Sequence, residues 1–235
     1  MSKKIIDKEQ IKEFQENREI GSGLEGVCYK LPDTGDILKI YHDDKRPLNV
    51  NFDNQKSDYI SFPKDVLLDS VSNEIIGITM PFMPGEQIIN GFPEELEITK
   101  LEEAYAVLLQ ELEKNCDIYM VDICLDNILF DISSNRFYLI DTVRWNYLPD
   151  VAALNRAKID RNLSTALCLG NLSWLKNYEN LKDNRELFDL YSASINERYC
   201  PFLKLLNLVK KVLVEDLGQE VVYISDLTPK SYKKS

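Results

Sequence analysis

A chain of 235 residues that is 44% hydrophobic and 29% charged is long enough and apolar enough to bury a real core in one or two domains. Nine glycines and nine prolines exclude a collagen-like or low-complexity polymer. With 28 Lys and Arg against 39 Asp and Glu, the formal charge of −11 argues against a broad nucleic-acid surface and against an anionic membrane surface as partner.

In chain order, Asp7 to Asn17 reads as a short polar helix. From Arg18 to Met83 strand signals dominate, in the runs Val27 to Leu31, Ile37 to Tyr41 and Ile75 to Met80. Asp33-Thr34-Gly35-Asp36 joins the first two runs as a hairpin. After Pro84-Gly85 the apolar period changes: Ile98, Leu101, Tyr105, Leu108 and Leu112 predict an amphipathic helix over 98–114. Short strands are expected at 118–120, 128–130 and 137–140, with Asp131 to Asn135 as a turn. Pro201 opens a strongly apolar helix that ends near Gly218. Trp145 and Trp174 read as core or surface anchors. A strand-rich first third and a helical remainder predict an α+β chain in two lobes, joined between Met80 and Gly85.

The five cysteines (Cys28, Cys116, Cys124, Cys168 and Cys200) form no C-x-x-C pair, and His42 is the only histidine. Neither a cysteine zinc site nor a redox motif is indicated, and His-rich metal sites and histidine triads are excluded. The N-terminus has no apolar signal core, and no run approaches the roughly 18 apolar residues of a membrane span. The expectation is a cytoplasmic protein.

Three features carry chemistry. The first is Gly21-Ser22-Gly23-Leu24-Glu25-Gly26, followed by the β-prone Val27-Cys28-Tyr29-Lys30. Glycines at this spacing let a backbone approach phosphate closely, and a strand after them points away from a dinucleotide site and towards a phosphate-covering hairpin. Alone, the loop reads equally as a glycine-rich turn. The second is Lys39, inside the apolar run Ile37-Leu38-Lys39-Ile40-Tyr41. A lysine turned into a core needs an anion; one at a sheet edge faces water. The third is Asp122 with Asn127 between two short strands, then Asp141 after the next strand. Oxygen ligands at strand ends suit Mg²⁺, and a separate carboxylate can orient an attacking hydroxyl. Each taken singly also suits a turn.

In this order the features resemble the protein kinase family. The resemblance covers residues 20–142 and implies a bilobal protein kinase-like fold: a β-rich N-terminal lobe over 1–83 with glycine loop, strand lysine and hinge, and a reduced helical C-terminal lobe over 84–235 with catalytic loop and metal site. It implies that Gly21, Gly23 and Gly26 cover the phosphates of ATP, that Lys39 contacts its α/β-phosphates, and that Met83 supplies a hinge N–H to adenine beside the acceptor carbonyl of Pro81. Asp122 takes the catalytic-loop position, and Asn127 and Asp141 hold Mg²⁺. The function implied is an ATP- and Mg-dependent phosphotransferase acting on a protein hydroxyl or a small molecule. The alternative is a pseudokinase that binds nucleotide or a partner without transfer.

Departures from the family pattern are specific. Met120-Val121 stands where His-Arg is usual, so activity is expected not to depend on phosphorylation after Asp141. Asp141-Thr142-Val143 replaces Asp-Phe-Gly. Glu25 puts a negative charge at the glycine-loop tip. No glutamate lies between Gly26 and Glu74, so the lysine's usual ion-pair partner is absent or replaced. Pro47, Asn49, Asn51 and Asn54 predict a short or irregular helix over 46–61, whose acids are Asp53 and Asp58. Lys39 is expected to pair with Asp141 when nucleotide is absent, with Asp53 as the alternative.

Overall fold

The structure is a computed structural model that describes residues 2–6, 8–16, 18–51, 55–178, 181 and 184–229. Asp7, Asn17, Asp53 and Asn54 lie outside the described residues. The chain is α+β and divides into two compact units. The first comprises residues 1–83, 120–122 and 139–147; the second comprises 84–119, 123–138 and 148–235.

In the first unit, β1 (Ser2–Ile6), β2 (Arg18–Ser22), β3 (Gly26–Lys30), β4 (Ile37–Tyr41), β5 (Asp65–Asp69) and β6 (Ile75–Met80) form one sheet, with α1 (Lys8–Gln15) between the first two strands in sequence. The strand order is β1-β5-β6-β4-β3-β2. Only β1 and β5 run parallel; the other neighbours are antiparallel. The hairpin expected from the sequence is β3–β4, which pairs Gly26 with Tyr41, Cys28 with Lys39 and Lys30 with Ile37. Its turn closes where Leu31 N–H donates to Asp36 O at 2.8 Å and Gly35 N–H to Leu31 O at 2.9 Å.

Strand β4 is apolar at nearly every position because both faces of the sheet are covered. Ile37 and Tyr41 pack on one face with Val66, Ile78, Met80 and Val143. Leu38 packs on the other with Tyr29, Leu67 and Ile76, and the half-buried Ile11 of α1 joins it there. Val143 is brought in because residues 139–142 are tied to 59–61. Leu139 N–H donates to Tyr59 O at 2.8 Å, Ser61 N–H to Leu139 O at 2.9 Å, and Thr142 Oγ1 to Ser61 O at 2.9 Å. Trp145 sets its edge against Phe62 with centroids 6.2 Å apart.

Two departures from expectation concern β1 and β5. The sequence reading makes the first residues helix alone, yet Ser2–Ile6 adds a strand ahead of α1. Its partner is Asp65–Asp69, in the register Ser2 to Asp65 through Ile6 to Asp69. A parallel pair so distant in sequence has no local turn signal, and neither segment alternates polarity.

The second unit holds β7 (Glu86–Gln87), β8 (Ile118–Tyr119), β9 (Ile128–Asp131) and β10 (Arg136–Leu139), with α2 (Ile98–Lys114), α3 (Ala152–Ala166), α4 (Arg185–Ile195) and α5 (Phe202–Glu215). Strands β10, β9 and β7 form a small sheet in that order. Gly85 leads into it at φ 110°, where an added Cβ would lie 2.8 Å from Phe130 O. Helices α2 and α5 bury the apolar stripes read from sequence, including Leu101, Leu108, Leu205 and Val209. Helix α3 buries Ile159, Leu163 and Ala166 at helical spacing and, beside them, polar residues with partners: Asn155 Nδ2 donates to Ile118 O at 2.7 Å, Asn162 Nδ2 to Ile123 O at 3.1 Å, and Tyr105 Oη to Asp160 Oδ1.

Leu38 is fully buried at the centre of the larger sheet. Leu38→Ala should therefore lower unfolding free energy by about 2–5 kcal/mol in urea titration. A loss under about 1 kcal/mol would mean that the sheet's second face is not covered as described.

Candidate functional site

Alternation along β4 puts residues 37, 39 and 41 on one face, so Lys39 points the same way as Ile37 and Tyr41. It is only 6% exposed. The cost of burying an ammonium is offset by two carboxylates. Asp141 Oδ1 and Glu25 Oε2 each lie 2.7 Å from Lys39 Nζ. The Lys39–Asp141 pair is the one expected without nucleotide. Glu25 corrects the sequence reading: the glutamate sought after Gly26 stands one residue before it. Its side chain turns inward from the loop and does not mark an exposed tip.

The charge chain continues. Arg144 pairs with Glu25 Oε1, and its Nη1 lies 3.6 Å from Asp122 Oδ2. Asp141, Lys39, Glu25, Arg144 and Asp122 thus form one line of alternating charge within the first unit. Burial alone would depress the Lys39 pKa, but Asp141, then Glu25, outweigh it and hold the ammonium above its ordinary range. Burial pushes the Glu25 carboxyl up; Lys39 and Arg144 more than reverse this and hold it below its ordinary value. Tyr41 brings its ring to 5.3 Å from Lys39 Nζ.

The glycines divide into two kinds. Gly26 is required by packing, since an added Cβ would fall 2.1 Å from Ile40 O of the neighbouring strand. At Gly21 and Gly23 an added Cβ would meet nothing within 4 Å, and neither has a positive φ. Nothing in the fold itself asks for glycine there. Gly23 N–H donates to Gly26 O at 3.0 Å, His42 N–H to Glu25 O at 2.9 Å, and His42 Nε2 lies 3.2 Å from Gly23 O. The loop is therefore latched at its base while the surface over Gly21 and Gly23 stays open.

Asp141 sits at φ 57° in the left-handed region. For a residue with a Cβ that costs about 1–2 kcal/mol, and the Lys39 pair together with the Thr142 anchor holds it there. Met83 is buried. Beside it, the Pro81 carbonyl expected to face a ligand accepts from Ser61 Oγ at 2.8 Å, so one of its two lone pairs is engaged. Asn127 belongs to the second unit, at the end of a 3₁₀ turn where its N–H donates to Cys124 O at 3.1 Å.

The segment expected to carry a short or irregular helix, 46–61, follows a 3₁₀ turn over Asp43–Lys45 and has no helix among its described residues. Among the described residues, no group of three or more His, Cys, Asp or Glu is arranged to hold a metal ion, and no helix is long and apolar enough to cross a membrane. Sequence reasoning missed Glu25 as the inward partner and Arg144 altogether. The lack of any glutamate between Gly26 and Glu74 was the available signal for the first; nothing local marks the second. Neither a protein-family model nor a curated protein matches this chain.

The Glu25 carboxyl is held below its ordinary 4.5. Its pairs therefore stabilise the fold fully above that pH, and the contribution fades as pH falls through the lowered folded value. The gap in melting temperature between the parent and Glu25→Gln should be constant through neutral pH and shrink in acid. A gap that widens as pH falls would contradict the pairing.

Proposed function

We propose that the chain is an ATP- and Mg-dependent phosphotransferase with a bilobal protein kinase-like fold. One observation carries the reading: a buried lysine on the second strand after a glycine loop, held between a loop glutamate and the aspartate that ends the following metal-type motif. Gly21 and Gly23 add support, because their open Cβ positions leave backbone free for phosphate oxygens to approach.

Charge explains why the nucleotide would arrive with a cation. The line of five residues has two positive and three negative groups, one surplus negative charge. It would repel a bare triphosphate. Magnesium, when bound, supplies the missing positive charge on the phosphates. Within the first unit Asp141, beside Lys39, would hold it; Asn127 is assigned to it by the resemblance alone. In the reaction, Lys39 exchanges a carboxylate for phosphate oxygens. Asp122 orients the acceptor hydroxyl and takes its proton as the new O–P bond forms and the bond to the ADP oxygen breaks. The acceptor is a protein hydroxyl or a small molecule. A second reading, a pseudokinase that binds without transfer, is favoured by the Arg144–Asp122 contact at 3.6 Å, which engages the proposed base.

ATP with Mg²⁺ at about one hundred times its Kd should add about 2.7 kcal/mol of stability in thermal melts. ATP with a chelator should add far less, and Lys39→Ala should abolish the effect. Equal responses from parent and Lys39→Ala would overturn the site. In a radiolabelled turnover assay, Asp122→Asn should cut transfer by about 10²–10⁴-fold while the thermal shift persists. Nucleotide binding without any transfer by the parent would select the pseudokinase.

A further inference from the structure

The two ion pairs of Arg144 are unequal. Its Nη2 is held by Glu25 Oε1, while Nη1 stands 3.6 Å from Asp122 Oδ2, beyond hydrogen-bond reach. One side of the guanidinium fork is therefore pinned, and the other is presented to the proposed base without a hydrogen bond to it. The side chain is 59% exposed, so solutes can reach it. Glu25 is fixed in turn by Lys39 at 2.7 Å. All four residues belong to the first unit.

Phosphoryl transfer at Asp122 needs a cation close by. The acceptor oxygen must come within about 2.6–3.2 Å of the carboxylate that takes its proton, and the phosphorus within about 3–3.5 Å of that oxygen. Charge then spreads over phosphoryl oxygens beside Asp122. The sequence has no Lys or Arg between Lys114 and Arg136, so the chain around Asp122 brings no cation of its own. Of the two cations in the charge line, Lys39 is buried and faces Asp141. Arg144 is the one next to Asp122.

We propose that Arg144 is a catalytic residue of the transfer: held by Glu25 through Nη2, it turns Nη1 from Asp122 to an oxygen of the phosphoryl group in flight. This role rests on the phosphotransferase reading. As the acceptor O–P bond forms and the bond to the ADP oxygen breaks, the acceptor proton passes to Asp122. Arg144 then loses the negative charge beside Nη1 at the moment the phosphoryl oxygens need a donor. An arginine can serve Glu25 and the phosphoryl at once, because its planar fork carries donors on separate nitrogens; a lysine ammonium is a single point charge. A guanidinium that merely blocked Asp122 would have the opposite effect, and its removal would speed turnover.

The test uses the full chain and the hydrolysis of ATP with Mg²⁺, in which water is the acceptor. Arg144→Ala should lower kcat by about 10²–10³-fold and leave KM for ATP within about twofold. ADP with Mg²⁺ and aluminium fluoride, which imitates the phosphoryl group in flight, should bind Arg144→Ala about 10²-fold more weakly in calorimetry, with ADP alone unchanged. Arg144→Lys should resemble Arg144→Ala. A parent that neither hydrolyses ATP nor gains affinity for ADP from aluminium fluoride would overturn the phosphotransferase reading and this role with it. A parent that turns over while Arg144→Ala equals or exceeds it would overturn the role of Arg144 alone. Equal losses of affinity for ADP and for ADP with aluminium fluoride would do the same, and a fully active Arg144→Lys would overturn the pinning by Glu25.

Discussion

A lysine ammonium buried in the middle of an apolar strand is the constraint on which the first unit depends. Burial favours the neutral amine at Lys39, and the ammonium can sit beside Ile37 and Tyr41 only with carboxylate partners. It has two, and they come from far apart in the chain: Glu25 from the loop before β3 and Asp141 from the segment after β10. Meeting the lysine's charge therefore fixes where the loop folds back and where residues 139–147 are held. The ion pair is better read as positioning these segments than as a net source of stability, since desolvation of three charged groups offsets much of the attraction.

Backbone contacts support the same placement. The 59–61 chain holds residues 139–142 by main-chain hydrogen bonds and by the Thr142 hydroxyl, which sets Asp141 in its left-handed conformation. Gly26 allows β3 to approach Ile40 closely enough for Glu25, one residue earlier, to reach inward. On this side of the sheet Pro47, Asn49 and Asn51 lie in irregular chain beside a cavity.

The second unit solves a different problem. Its helix α3 buries polar residues beside Ile159 and Leu163, and its Asn155 and Asn162 give their amides to the carbonyls of Ile118 and Ile123. The cost of burying the amides is offset because each meets an acceptor.

The sequence by itself determined the local elements and the residue types of the candidate site. Period and turn chemistry were sufficient for the β3–β4 hairpin, for α2 over Ile98–Lys114 and for α5 after Pro201, because those signals lie within a few residues. The odd lysine in β4 and the carboxylate at Asp141 were legible as a pair in need of each other. Only the tertiary structure decided which second acid answers Lys39, that Arg144 joins Glu25 to Asp122, and that β1 pairs in parallel with β5. Each of these joins residues distant in sequence, or depends on which way a side chain turns once the sheet has formed. Neither is encoded in a local pattern, because a charge or a strand finds its partner by position in space and not by spacing along the chain.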